Sequence, residues 1–181
     1  MVFTIGEAII NIDENATREY YAAHPAREGA CSCVYCRNYR AALPLIPDKV
    51  KAFFKSCGID DMRDFVELTP FSSSGKDCLY SGWYHLVGSI EGGKAPETWL
   101  PPSAKARRIL YKLFNREKYE AILRAEEAIG KERMSERLDI SDDFSVRFST
   151  GKDLKEKDFP KNCVQLEIDA LIPWVIPEKP E

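Results

Sequence analysis

The sequence lacks most of the features that would assign a protein to a functional class at once. No uncharged apolar run approaches the ~18 to 20 residues of a membrane-spanning helix, so no membrane partner is expected. A glycine-rich phosphate loop, a G-x-S-x-G elbow and an H-E-x-x-H motif are all missing. Charge of one sign is not in excess either, because 26 Lys and Arg residues oppose 29 Asp and Glu residues. This balance disfavours nucleic acid as a partner of the whole molecule.

The composition is that of an ordinary globular protein. Of the 181 residues, 44% are hydrophobic and 30% are charged. A chain of this length can bury about 70% of its unfolded surface, so its core needs neither a disulfide nor a metal to form. We predict a single domain over residues 1–181. The first residues carry Glu7 and no basic side chain before their apolar stretch, unlike a signal peptide, and we expect a cytoplasmic protein.

Three segments are predicted to be helical from their residue patterns, and a short helix is expected to follow Cys36 from about residue 37. Residues 15–23 are rich in helix-forming types. Pro47 suits the first position of a second helix, and Gly58 offers a left-handed residue at its end. Ser103 can cap a third helix, whose apolar residues continue to Ile129.

Five segments have the composition or alternation of β-strands. Residues 2–12 are apolar on both faces and predict one covered strand. Residues 64–71 and 78–90 are rich in aromatic and β-branched types and predict a hairpin. Residues 144–149 and 164–174 alternate between apolar and polar types. Because strands and helices do not alternate regularly, we predict an α+β fold with a mainly antiparallel sheet and several helices.

The strongest functional signal is a cluster of potential metal ligands. His24, Cys31, Cys33 and Cys36 form the pattern H-x6-C-x-C-x2-C in a stretch with proline, glycine and small residues. Zinc prefers four soft or borderline donors in a tetrahedron, and closely spaced thiolates can reach one centre. We therefore predict a zinc-binding knuckle at residues 24–36. With all four positions filled, no site for a catalytic water is left, which indicates structural zinc.

Alternatives to this ligand set are open at this stage. Cys57 is a competing fourth ligand, although its place on the apolar face of the second helix is typical of a buried thiol. Cys33 and Cys36 are also spaced like the two thiols of a redox centre. Three reduced thiols can equally be present without any metal. Nearby arginines could offset the negative charge of a zinc site with three thiolates, namely Arg27, Arg37 and Arg40.

The segment CSCVYCRNY at residues 31–39 resembles one found in uncharacterised bacterial proteins of similar size. The resemblance covers about a quarter of the chain, and no activity can be transferred from it. It implies a small α+β protein with a metal-binding knuckle near its N-terminus.

A second candidate site is a basic stretch. Residues 103–137 contain ten Lys or Arg residues against six Glu residues. Four of the cations are candidate anion-binding residues that could meet phosphates: Lys105, Arg107, Arg108 and Lys112. Internal pairing with the acidic C-terminal third is the simpler interpretation, because the sequence pI of about 5.6 is far below that of typical nucleic-acid binders.

These observations favour a cytoplasmic zinc-binding protein that acts as a binding or interaction module with a protein or small-molecule partner. One alternative is a thiol-dependent enzyme, or an enzyme with an open metal site. Another is a zinc-supported nucleic-acid binder that uses the basic stretch. No catalytic residue is predicted, because no recognisable base, nucleophile or cofactor motif is present.

Overall fold

Seven strands form one antiparallel sheet, and helices pack against it. The structure, a computed structural model, describes residues 1–24, 31–73, 76–95, 112, 116–118, 120, 132–152 and 154–180. In chain order the elements are β1 (Val2–Ile5), β2 (Ala8–Ile12), α1 (Glu14–Ala23), α2 (Val34–Ala42), a 3-10 helix (Leu43–Leu45), α3 (Asp48–Ser56), β3 (Glu67–Ser73), β4 (Asp77–Gly92), β5 (Leu138–Ser141), β6 (Phe144–Ser149) and β7 (Cys163–Pro173). The predicted α+β class is confirmed.

The long strand β4 organises the sheet. The strand order is β1-β2-β4-β7-β6-β5, and β3 also pairs with β4. One edge of β4 pairs with β7 from Asp77 to Val87. Its other edge pairs first with β3, up to Trp83, and then with β2, from Gly88 onwards. This leaves a gap in the ladder between the ends of β3 and β2.

Helix α1 fills that gap with side-chain hydrogen bonds. The Tyr21 hydroxyl donates to the His85 carbonyl oxygen at 2.8 Å and accepts from the His85 backbone N–H at 3.1 Å. The Val87 N–H donates to Thr17 Oγ1 at 2.9 Å. Both side chains are buried. The backbone groups of β4 in this gap are therefore hydrogen-bonded without a neighbouring strand, as buried backbone groups require.

The core lies between the sheet and helices α2 and α3. Along β4 and β7 every second side chain faces the helices, as the alternating sequence pattern predicts. Phe54 of α3 contacts Tyr84 of β4 with ring centroids 5.1 Å apart. The largest fully buried side chains include Tyr39, Tyr80, Tyr84, Phe54, Phe148, Leu86, Leu166 and Ile168.

The N-terminal prediction was wrong in one respect. Residues 2–12 are not one strand but a hairpin of β1 and β2, with Val2 opposite Asn11. Gly6 has φ of 57°, a left-handed conformation that glycine adopts without strain and that reverses the chain. Ile9 is 43% exposed, so the apolar residues that suggested two covered faces do not all point into the core.

The other sequence-based elements agree with the structure within a few residues. Gly58 follows the C-terminal end of α3 and has φ of 85°, the left-handed conformation that was predicted. The predicted hairpin at 64–90 is present as β3 and β4. The helix predicted from Ser103 to Ile129 lies almost wholly outside the described residues. In the described part of the chain, no helix is long and apolar enough to cross a membrane.

Two buried tyrosines make the stability of the fold depend on pH in the alkaline range. The Tyr39 and Tyr84 hydroxyls lie 3.2 Å apart, and the Tyr84 hydroxyl donates to the Met62 carbonyl oxygen at 2.7 Å. Burial raises the pKa of Tyr39 to about 12 and the pKa of Tyr84 well above its ordinary value. Their contribution to stability is complete below the unfolded pKa of about 10 and is lost as pH rises through the folded values.

We therefore expect base-induced unfolding to begin above about pH 10, where unfolded tyrosine ionises. Circular dichroism and tyrosinate absorbance should be followed in one titration. The last tyrosines should ionise only as secondary structure is lost. Complete ionisation with the circular dichroism spectrum unchanged would contradict this burial.

Candidate metal centre

Three cysteines lie where the chain enters α2. Cys33 is the residue that precedes the first turn of α2, with extended backbone angles of φ −60° and ψ 159°. Cys36 lies three residues later, on the turn that returns to the same side of the helix. The sulfur atoms of Cys31, Cys33 and Cys36 all lie within 4.8 Å of one another. The sequence spacing therefore predicted correctly that these three thiols come together.

Helix α2, which carries Cys36, is anchored to the sheet by hydrogen bonds. The Tyr80 hydroxyl of β4 donates to the Tyr35 carbonyl oxygen at 2.8 Å. The Asn38 amide donates to the Pro173 carbonyl oxygen at 3.1 Å and accepts from the Val175 N–H at 2.8 Å. Asn38 is fully buried, and these two bonds are partly shielded from water. The N-terminal half of α2 is thus attached to β4 and to the end of β7.

The two cysteines on α2 differ in exposure and in protonation. Cys36 is buried, and its burial, together with the neighbouring Cys33 and Cys31 thiols, raises its pKa to about 12. Cys33 is exposed. Partial burial opposes ionisation there too, but the backbone N–H groups of Cys36 and Tyr35 and the adjacent thiols lower the Cys33 pKa overall. The Cys33 thiolate therefore forms more readily than the Cys36 thiolate, and a bound metal would have to displace the proton of Cys36.

Of the three arginines predicted to offset the site's charge, one contacts the cluster's backbone. Arg40 Nη2 donates to the Cys31 carbonyl oxygen at 2.8 Å. Arg37 pairs instead with Glu178 at 2.6 Å. Arg27 lies outside the described residues.

The predicted fourth ligand, His24, has other partners in this structure. Its Nδ1 lies 2.9 Å from the Tyr20 carbonyl oxygen, and its Nε2 lies 2.8 Å from Asp158 Oδ2. The ring stacks on Tyr20 with centroids 4.4 Å apart. His24 is not in the group of ligand atoms that lie within 4.8 Å of one another. Its role as a ligand stays a prediction.

The competing fourth ligand, Cys57, lies at the C-terminal end of α3. It is fully buried in the hydrophobic core, and burial raises its pKa to about 12. It also falls outside the group of three thiols. These surroundings are typical of a structural thiol.

The candidate anion-binding residues can be located only in part. Lys112 is helical and exposed. Lys105, Arg107 and Arg108 lie outside the described residues, and the basic surface stays a prediction.

No family model, curated protein or solved structure matches this chain. What the fold and the cluster define is an α+β protein whose three close cysteines could hold a metal ion. Its function must be inferred from its own residues.

Proposed function

We propose that this protein binds one zinc ion through the thiolates of Cys31, Cys33 and Cys36. The proposal is supported by the spacing of the three sulfur atoms, which lie within 4.8 Å of one another. Zn–S bonds of about 2.3 Å in a tetrahedron place the sulfur atoms about 3.8 Å apart. The cysteines therefore need to move by only about 1 Å to reach this geometry. Thiolate ligands of this kind select zinc over hard cations such as magnesium.

The zinc is proposed to be structural and to support a binding module. It would join the segment at Cys31 to the first turn of α2, which is itself attached to β4 through Tyr35. The negative charge of the thiolates would lie at the N-terminal end of α2, where the helix macrodipole stabilises it. Arg40, which already contacts Cys31, supplies a neighbouring positive charge.

Cobalt substitution tests this proposal directly. Cobalt added to the metal-free protein should bind at one site per chain and give the intense visible bands of tetrahedral thiolate coordination. Zinc should then displace the cobalt and remove the bands. Weak bands of an octahedral oxygen site, or no bands at all, would contradict coordination by the three cysteines.

His24 is proposed as the fourth ligand. Its Nδ1 contacts the Tyr20 carbonyl oxygen, an arrangement that fixes the ring and leaves Nε2 for a metal. Asp158 occupies that nitrogen here, so the metal would have to displace the carboxylate. Replacing His24 should therefore lower the zinc affinity, whereas replacing Asp158 should not.

We expect His24→Ala to weaken zinc binding by at least about tenfold, because the site loses one of its four donors. Asp158→Asn is the matched control. It removes the competing charge and keeps the imidazole, so affinity should be equal or higher. Competition with a chelator of known zinc affinity measures both variants. Wild-type affinity in His24→Ala would show that another group supplies the fourth donor.

A second candidate function is dithiol exchange at Cys33 and Cys36. The observation that favours it is the exposed Cys33 at the start of a helix beside a buried Cys36 within sulfur contact range. The Cys33 thiolate would attack a disulfide and release one of its thiolates, and Cys36 would then displace the second thiol while losing its proton. Incubation with oxidised glutathione distinguishes the two functions. An intramolecular disulfide formed in zinc-loaded protein would favour exchange, and protection of the thiols by zinc would favour the metal site.

A further inference from the structure

A row of large apolar side chains is exposed on the face of the sheet opposite α2 and α3. Leu79 of β4 and Leu171 of β7 are direct cross-strand partners and are 36% and 43% exposed. Phe71 of β3 is 69% exposed. It lies at an irregularity between Pro70 and Ser72, where β3 has one more residue than the facing part of β4. Such bulges redirect side chains, and contiguous apolar groups on a surface mark interaction sites.

Acidic side chains border this apolar row. Asp142, Asp143 and Asp169 line the same open depression of about 380 Å³ as the three apolar residues. In the part of the chain that the structure describes, the Asp142 and Asp143 carboxylates form no ion pair. Asp169 accepts a hydrogen bond from Ser81. Among the described residues that line the depression, Arg137 is the basic one, and it is paired with Asp139 at 2.7 Å.

We propose that this surface, defined by Phe71, Leu79, Leu171, Asp142 and Asp143, docks a segment of a partner protein that carries basic and apolar side chains together. Basic side chains complement the two carboxylates, and apolar side chains cover the exposed row. This function is independent of the metal site, which lies at the start of α2 on the other face of the sheet.

Two other occupants fit the surface less well. A small ligand is normally buried by 70–90% in its pocket, but the residues here form an open surface that would leave it in water. A second copy related by twofold symmetry would place the same acidic residues opposite each other and create like-charge repulsion. A polypeptide segment with basic and apolar side chains would both complement the carboxylates and cover the apolar row.

The test uses the full-length protein and a defined probe. The probe is a short fluorescein-labelled peptide in which lysine alternates with leucine, and fluorescence anisotropy measures its binding. We expect saturable binding that weakens at least about fivefold when Asp142→Asn and Asp143→Asn are combined. Leu171→Ser should weaken it by a similar factor. All of these residues are exposed, and unchanged circular dichroism will show that the variants fold.

Two controls separate docking from general attraction between charges. The Glu7→Gln and Glu19→Gln pair removes the same charge from exposed positions in the β1–β2 turn and in α1. It should change affinity by less than about twofold, and a peptide with glutamate in place of lysine should not bind.

Three results would overturn the proposal. The first is an absence of saturable binding to the wild-type protein. The second is equal weakening by the two double variants, which would show nonspecific attraction. The third is self-association of the wild-type protein that Asp142→Asn with Asp143→Asn abolishes, because the occupant would then be another copy of this chain. Sedimentation velocity at the concentrations used for binding detects that case.

Discussion

Cys33→Ser should lower the zinc affinity of the protein by about 100-fold or more, because a serine hydroxyl does not ionise near neutral pH and is a poor zinc ligand. Cys33 lies between the other two cysteines in sequence, and its lowered pKa makes its thiolate more readily available than that of Cys36. Competition with a chelator gives the affinity of each variant. The loss should be larger than that of His24→Ala.

Cys163→Ser is the matched control for this change. Cys163 is a buried cysteine of β7 outside the three-thiol group, so the same substitution there should leave zinc affinity unchanged. Similar affinities in wild type, Cys33→Ser and Cys163→Ser would show that Cys33 is not a ligand. Equal losses in both variants would point to a general loss of structure, which circular dichroism would reveal.

Ile168→Ala should destabilise the protein by about 2 to 5 kcal/mol, through lost transfer free energy and the cavity that remains. Ile168 is 1% exposed on β7 and lies between Gly82 of β4 and Val146 of β6. The neighbouring strands on both sides limit the collapse of the cavity. Thermal denaturation should show a melting temperature lower by at least about 5 °C.

Leu171→Ala on the same strand is the control for this prediction. Leu171 is 43% exposed, so its truncation should change stability by no more than about 0.5 kcal/mol. The same side chain is nevertheless predicted to matter for docking, which separates its role in binding from a role in folding. A stable Ile168→Ala variant beside a strongly destabilised Leu171→Ala variant would contradict the assignment of the two faces of β7.

Strands in which apolar and polar residues alternate could be predicted from sequence, because burial of one sheet face determines that alternation. From Leu166 to Ile172 of β7 each buried residue alternates with a more exposed one, so burial of one face sets the period there. The first twelve residues were harder, since apolar residues on both faces fit one covered strand as well as a hairpin. Gly6 adopts a left-handed φ in the turn that joins β1 to β2, and a glycine in the sequence does not by itself signal that conformation.

For the metal centre, the spacing of residues along the sequence predicted only contacts between residues that are close in sequence. Cys31, Cys33 and Cys36 are close in sequence, and the start of α2 brings their sulfur atoms together. The contact of His24 with Asp158 joins residues far apart in the chain, and no pattern around His24 signals it. The same holds for the packing of Trp174 on Tyr35, with ring centroids 5.7 Å apart, which attaches the C-terminal segment to α2.

The central claim is that three thiolates hold one metal ion, and the metal content of untagged protein tests it most directly. Emission spectrometry should give one zinc per chain, and thiol titration of the native protein should find Cys31, Cys33 and Cys36 protected until a chelator removes the metal. Protein that contains no zinc after growth and purification with zinc present, and whose three cysteines react freely, would contradict the claim.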